Sequence, residues 1–277
     1  MLLDNLKQTV ESGKNITKPL YLRNLLKEEL QNYVLQFIYN NVTYRDLIFT
    51  GGTCLRKIYG LPRLSEDLDF DFTGKFDVNK FADAVKVHFK SDLQYPVETK
   101  ISGKENTVYI KLPIMKSLGF KNEEVLFIRC DFSEEALGEY GVETNTVSTK
   151  DFTFFVRNYD LSTLFANKIY AFLSRGFYKG GQQTVPFKAR DIFDLVWFLE
   201  RAKKSSIDFS PNWKRLEKAF PGVSRKGLAT KIIEKAEKIN ESEIKQDLEP
   251  FIESSQSVDD FSKAFKGIIK RGFEGFK

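Results

Sequence analysis

The stretch SEDLDFDF places Asp67, Asp69 and Asp71 in strict alternation with Leu68, Phe70 and Phe72. Alternation of acid and apolar residue is the period of a β-strand with one wet and one buried face, so the three aspartates share a side. Two carboxylates at i and i+2 on a strand lie ~6–7 Å apart at Cα, close enough for their oxygens to share a divalent ion. Hard oxygen ligands favour Mg2+ or Mn2+, and such a pair serves to hold metal against the phosphates of a nucleotide while an attacking hydroxyl is activated. Asp71 lies farther along the same face and takes a supporting position at most. For acid alternation in general a solvated strand face is the plainer reading; here the neighbouring residues argue for chemistry.

Those neighbours begin upstream with Gly51 and Gly52, where the apolar run DLIF ends as a strand feeding a turn. The following TCLRKIYG has helical character, with Thr53 as its expected cap and Gly60 as its stop. A strand delivering the chain through two glycines to a helix start presents unsatisfied N–H groups to anions, and glycines let a phosphate approach the backbone. The stretch lacks both the G-K-[ST] ending of a P-loop and the G-x-G-x-x-G dinucleotide fingerprint, so on its own the pair reads as an ordinary tight turn. Cys54 stands beside the turn, but without a histidine in a matching motif it does not read as a nucleophile. His88, within AVKVHFK, reads as a packing or helix-surface residue. Glu66 falls on the face opposite the aspartates, with Arg56 or Arg63 as its expected partner.

The elements that must position these groups follow from periodicity. In YLRNLLKEELQNYVLQFIYNN, apolar residues from Leu22 to Phe37 recur at three- and four-residue spacing, predicting an amphipathic helix. FDVNKFADAVKVHFKSDL also reads as helix, while TVYIKLPIM and EVLFIRCDFS read as strands, giving a mixed sheet. From about Ser162 the pattern is helical to the end, interrupted by the glycine- and glutamine-rich loop YKGGQQTVPF. The fold class expected is α+β: an N-terminal helical segment and mixed-sheet core over residues 1–155, and a helical subdomain over 156–277 that completes the active site. A chain of 277 residues with 42% hydrophobic content can bury such a core. Asp4 and Lys7 break up any signal peptide, no run reaches the ~18 apolar residues of a membrane span, and two cysteines with one histidine make neither a disulfide scaffold nor an ordinary zinc site. The expectation is a cytoplasmic protein with no membrane partner. A net charge of +5 favours polyanionic partners.

Taken together, GGTCLRKIYGLPRLSEDLDFDF resembles the signature of the nucleotidyltransferase (DNA polymerase β-like) superfamily, and within it the AbiEii/AbiGii-type, MenT-like toxins. That branch carries G-G-T-x-L and then R-x-S-x-D-x-D-[FL], matched by Gly51, Gly52, Thr53, Leu55, Arg63, Ser65, Asp67, Asp69 and Phe70. Downstream, K-x-x-A is matched at Lys168, and R-D-x-x-D at Arg190, Asp191 and Asp194. The resemblance covers about Phe49 to Leu199. It implies that Asp67 and Asp69 hold catalytic metal, with Asp131 at the end of FIRCDFS as a third carboxylate. It implies that Gly51, Gly52, Thr53, Arg63 and Ser65 bind the nucleotide, and that Lys168 neutralises triphosphate charge. Arg175 lies seven residues along the same helix and offers a second cation. Asp191 is implied as base or positioner, although an acid in the first turn of a helix also complements its dipole; Asp194 can equally pair with Arg190. The activity implied is transfer of a nucleotidyl group from an NTP to a hydroxyl with Mg2+ (or Mn2+) and release of pyrophosphate, with the 3′ end of tRNA or another RNA as acceptor. A toxin–antitoxin or phage-defence setting with a cognate antitoxin protein goes with it. The alternatives are a protein or small-molecule acceptor, or a non-catalytic nucleotide- or RNA-binding module. Retention of Asp67, Asp69 and Lys168 argues against the last.

Overall fold

A computed structural model describes residues 2–102, 106–120, 125–174, 177–179, 183–185, 187–204 and 209–275. The chain divides into two compact units: Met1–Ala136 with Val142–Asn158, and Leu137–Gly141 with Tyr159–Lys277. The second unit therefore takes five residues from the middle of the first in addition to the helical half.

The first unit holds α1 (Leu2–Ser12), α2 (Pro19–Asn40), β1 (Ile48–Thr50), α3 (Gly51–Tyr59), β2 (Asp67–Phe72), α4 (Val78–Ser91), β3 (Glu98–Ser102), β4 (Thr107–Leu112), β5 (Leu126–Glu134), β6 (Val142–Ser148) and β7 (Thr153–Tyr159). The strands form one mixed sheet in the order β3-β4-β5-β2-β1-β7-β6. β2 runs parallel to β5 and antiparallel to β1, and β1 runs parallel to β7. Alternation sends Leu68, Phe70, Val108, Ile110, Ile128, Cys130 and Phe132 into the core, where all are buried. Phe70 stacks between Phe49 and Phe132 at 5.4 and 5.5 Å, and Phe132 meets Phe81 of α4 edge-on at 4.7 Å. Taking each such ring out of water stabilises the fold by on the order of 1.5–3 kcal/mol. α4 begins where the Asp77 side chain accepts from the amides of Asn79 and Lys80, satisfying two helix-start donors.

The second unit is built on α5 (Leu161–Ser174), α6 (Ala189–Lys204), α7 (Trp213–Ala219), α8 (Arg225–Glu237), α9 (Glu241–Leu248) and α10 (Ser255–Glu274), with a hairpin of β8 (Phe177–Lys179) and β9 (Gln183–Val185). Phe165 of α5 stacks on Phe198 of α6 at 4.5 Å, centring this second core. The segment expected to be loop between α5 and α6 thus contains two short strands; Gly180 and Gly181 lie outside the described residues. Among the described residues no helix is long and apolar enough to cross a membrane.

Candidate active site

β1 passes into α3 without an intervening loop, so the helix starts at Gly51, two residues before the expected cap. Thr50, extended, holds the cap position. Thr53 is instead fully buried, and its hydroxyl donates to the Asp67 carbonyl, fastening the first turn of α3 to the start of β2. Pairing of β1 with β2 puts Thr50 opposite Asp69. Gly51 has φ 78°, and a Cβ there would overlap the Asp69 carboxylate, so both the backbone and the space demand glycine. At Gly52 a Cβ would come within 2.7 Å of Arg63 Nη2 and 3.0 Å of Ser65 Oγ. These two motif residues are therefore packed against the glycine turn.

Arg63 is buried at 3% exposure, with Nη1 donating to the Leu64 carbonyl at 2.9 Å. The Ser65 carbonyl accepts from Gln31 Nε2 of α2 at 2.8 Å, which fixes this segment from behind. A buried guanidinium close to a helix N-terminus sets two positive potentials side by side, an arrangement that an anion stabilises. Glu66 meets the buried Lys27 of α2 at 3.2 Å, while Arg56, one of its two expected partners, is held at 2.7 Å by Glu28.

Asp67 and Asp69 share the face away from Leu68 and Phe70, as expected. In the parallel register with β5, Asp67 lies opposite Arg129 and Asp69 opposite Asp131. Arg129 Nε donates to Asp131 at 3.0 Å, and Thr107 Oγ1, from β4, donates to Asp131 Oδ1 at 2.5 Å. Burial works against the charge of Arg129, but Asp131 and Asp67 outweigh it and raise its pKa above the ordinary value. Arg129 and Thr107 were not anticipated; Arg129 was visible two residues before Asp131, but only strand register brings Thr107 to them. Among the described residues no three acidic, histidine or cysteine side chains converge as metal ligands. Asp131 stands opposite Asp69 in the register of β2 with β5 and accepts from Thr107 and Arg129. Asp67 and Asp69 alone fit Mg2+, which is commonly held by one or two carboxylates with substrate phosphates completing its shell.

In the second unit, Lys168 of α5 lies 2.7 Å from Asp194 and 3.3 Å from Asp191 of α6. Lys168 is 8% exposed, Asp191 2% and Asp194 0%. A buried ammonium needs this pairing, because leaving it alone out of water is costly. Asp194 thus holds Lys168, while the Arg190 guanidinium stacks over Phe251 at 4.3 Å. Lys235 of α8 donates to the Phe172 carbonyl at 2.6 Å; burial lowers its pKa, with Asp191 opposing. Arg175 lies outside the described residues. Cys54 is buried inside α3, and His88 packs at 5.0 Å from Phe37 with Nδ1 2.6 Å from Asp92, so neither enters the constellation.

Residues 39–270 match the model of a family described as nucleotidyl transferase AbiEii toxin, type IV toxin–antitoxin system. The chain belongs to this family. Among solved structures the AbiEii-family chain is similar to MenT4, a nucleotidyltransferase toxin from Mycobacterium tuberculosis H37Rv, with a TM-score of 0.61 and 13% identity over 96% of this chain and 88% of that one. JHP933 from Helicobacter pylori matches with a TM-score of 0.47 and 18% identity, over 91% of this chain and 93% of that one. No curated protein is matched by sequence. The AbiEii-family chain is thus a nucleotidyltransferase with the α+β, mixed-sheet architecture of such toxins.

Proposed function

We propose that this AbiEii-family enzyme transfers a nucleoside monophosphate from an NTP to the 3′ hydroxyl of tRNA, with Mg2+ or Mn2+ and release of pyrophosphate, in the cytoplasm. The observation that carries the reading is the abutment of the Gly51 turn on the Asp69 carboxylate. It sets an anion-seeking helix start and a pair of oxygen ligands on adjacent strands, which is what a metal-bound triphosphate requires. Bound at Asp67 and Asp69, the metal would neutralise phosphate charge and lower the pKa of the attacking hydroxyl.

The chain's own residues do the rest. The amides of Gly51 and Gly52, with Ser65 and Arg63, form the triphosphate cradle, and Thr53, its hydroxyl on the Asp67 carbonyl, braces the first turn of α3 behind it. Asp131, opposite Asp69, takes the acceptor proton. The new bond joins the acceptor oxygen to the α-phosphorus, and the bond to the β-phosphate oxygen breaks. Lys168 supplies cationic charge, its ammonium held in place by Asp194 and Asp191. The RNA acceptor is supported by the net charge of +5 and by aromatic-interleaved basic segments such as KAFKGIIKRGFEGFK. The family's toxin–antitoxin setting supports a cognate antitoxin as partner and a role in phage defence.

The test is incubation with Mg2+, each α-labelled NTP in turn and total bacterial RNA, beside the Asp67→Ala/Asp69→Ala variant. Label in the tRNA band that depends on both aspartates is expected. Label in protein or small-molecule fractions moves the acceptor there, and no label anywhere returns the chain to a binding module. Asp69→Ala by itself should leave the melting temperature nearly unchanged, since it relieves carboxylate repulsion in the metal-free protein, while transfer falls at least about a hundredfold.

A further inference from the structure

The carboxylate face of the sheet continues sideways beyond the residues assigned so far. β5 presents Phe127 and Arg129 on the same side as Asp131. Register places Tyr109 of β4 opposite Arg129, Lys111 opposite Phe127, and Lys100 of β3 opposite Tyr109. The reverse side of these strands is closed core, with Val108, Ile110, Leu126 and Ile128 at 0% exposure. On the carboxylate side, by contrast, Tyr109, Lys111, Phe127 and Arg129 are partly exposed and Lys100 is exposed.

Tyr109 and Phe127 are partly exposed, Phe127 being covered on one side by α2, whose buried Lys27 lies over its ring. Tyr109 and Phe127 meet edge to face at 5.8 Å, and Lys27 and Arg23 of α2 lie 4.5 and 5.9 Å from the Phe127 ring. Acids are present as well: Glu66 meets Lys27 at 3.2 Å, Asp131 meets Arg129 at 3.0 Å, and Glu98 sits opposite Lys111, so the proposal leans on Lys100 and Lys111 at the outer strands. Half-exposed rings flanked by lysines form a poor core and a good stacking surface, because every base has a π-face and each phosphate between bases seeks a cation.

We propose that this open face of β5, β4 and β3 is the platform on which the single-stranded 3′ end of the acceptor RNA docks, its bases on Tyr109 and Phe127 and its phosphates at Lys100 and Lys111. The proposal rests on the RNA-acceptor reading above and deepens it. An acceptor strand is favoured over the incoming nucleotide because Lys100 lies three strands from β2, ~14 Å at the usual strand spacing. That is farther than a mononucleotide anchored at Asp67 and Asp69 needs.

The experiment measures fluorescence anisotropy of a labelled single-stranded RNA of about 12 nucleotides with wild type, Tyr109→Leu and Lys100→Glu/Lys111→Glu. Melting temperatures check folding, and a fluorescent NTP analogue is titrated in parallel. Tyr109→Leu should weaken RNA binding about tenfold. The lysine double variant should weaken it and reduce the slope of log K against log salt by about 1.4, two phosphate contacts on a single strand. Nucleotide affinity should stay unchanged in both. Lys100 is exposed and Lys111 partly so, and the double variant carries the test should Tyr109→Leu fail to fold. Unchanged RNA affinity and salt slope in folded variants overturn the platform, as does a wild type that binds no RNA, or a loss confined to the NTP analogue. The acceptor reading is judged separately: RNA still labelled by variants of undiminished RNA affinity leaves it standing, whereas label appearing only in protein removes it.

Discussion

At Gly51, two requirements coincide in one residue: a positive φ of 78° and a space already filled by the Asp69 carboxylate. Gly51→Ala should therefore cost about 1–3 kcal/mol of stability by urea denaturation and abolish transfer, because Asp69 must move aside. A wild-type denaturation midpoint would contradict the packing described. A second residue reports through pH. Lys57 of α3 donates to the Glu28 carbonyl at 3.0 Å and to Asn32 Oδ1 at 2.6 Å, and burial lowers its pKa from 10.5 to about 8. The unfolded chain then binds a proton that the folded one lacks between pH 8 and 10.5, so folding stability gains from Lys57 as pH rises through that window. Denaturation midpoints taken across the window should rise more steeply for wild type than for Lys57→Met; equal slopes would remove the assignment. Asp67, Asp69 and the glycines were legible because their chemistry is compressed into one short stretch. Arg129 and Thr107 were not, since their meaning depends on which strands become neighbours.

Among the elements, β2 and β5 declare themselves by alternation because each has one buried and one wet face. β3 and β6 are the edges of the sheet, and their sequences, ETKIS and VETNTVS, carry little apolar signal since little of them is buried. β7 hides its period behind Phe155, 68% exposed between the buried Phe154 and Val156. The helix start at Gly51 was misplaced because Thr53 looks like a cap in sequence, while in the fold its hydroxyl is drawn inward to Asp67. Phe132 shows what the alternation secures: it touches Phe70, Phe76 and Phe81 at 5.5, 4.5 and 4.7 Å. Phe132→Ala should cost about 3–5 kcal/mol in chemical denaturation. A loss below about 1 kcal/mol would mean that the core collapses around the void.

For the whole molecule, composition and charge set the class of partner, and the arrangement of the chain sets what can be separated. Between β5 and β6 the chain enters the second unit for Leu137–Gly141 and then returns. Arg215 Nη1 donates to the Gly138 carbonyl at 2.8 Å and Asn212 Nδ2 to the Glu139 carbonyl at 2.9 Å; the Gly141 amide donates to Thr163 Oγ1 at 3.0 Å. A boundary drawn at 155/156 from helical periodicity has no means of showing this, because five residues carry no period. The thread ties the second unit to residues that precede β6. A product starting at residue 156 would keep Arg215, Asn212 and Thr163 but lose the partners they grip, and with them a buried guanidinium's hydrogen bond. Such a fragment should be digested by protease much faster than the same region within the intact chain, whereas equal survival would show the thread to be dispensable. A chain cut short after β5, before residue 137, would lose the thread together with the helices that grip it.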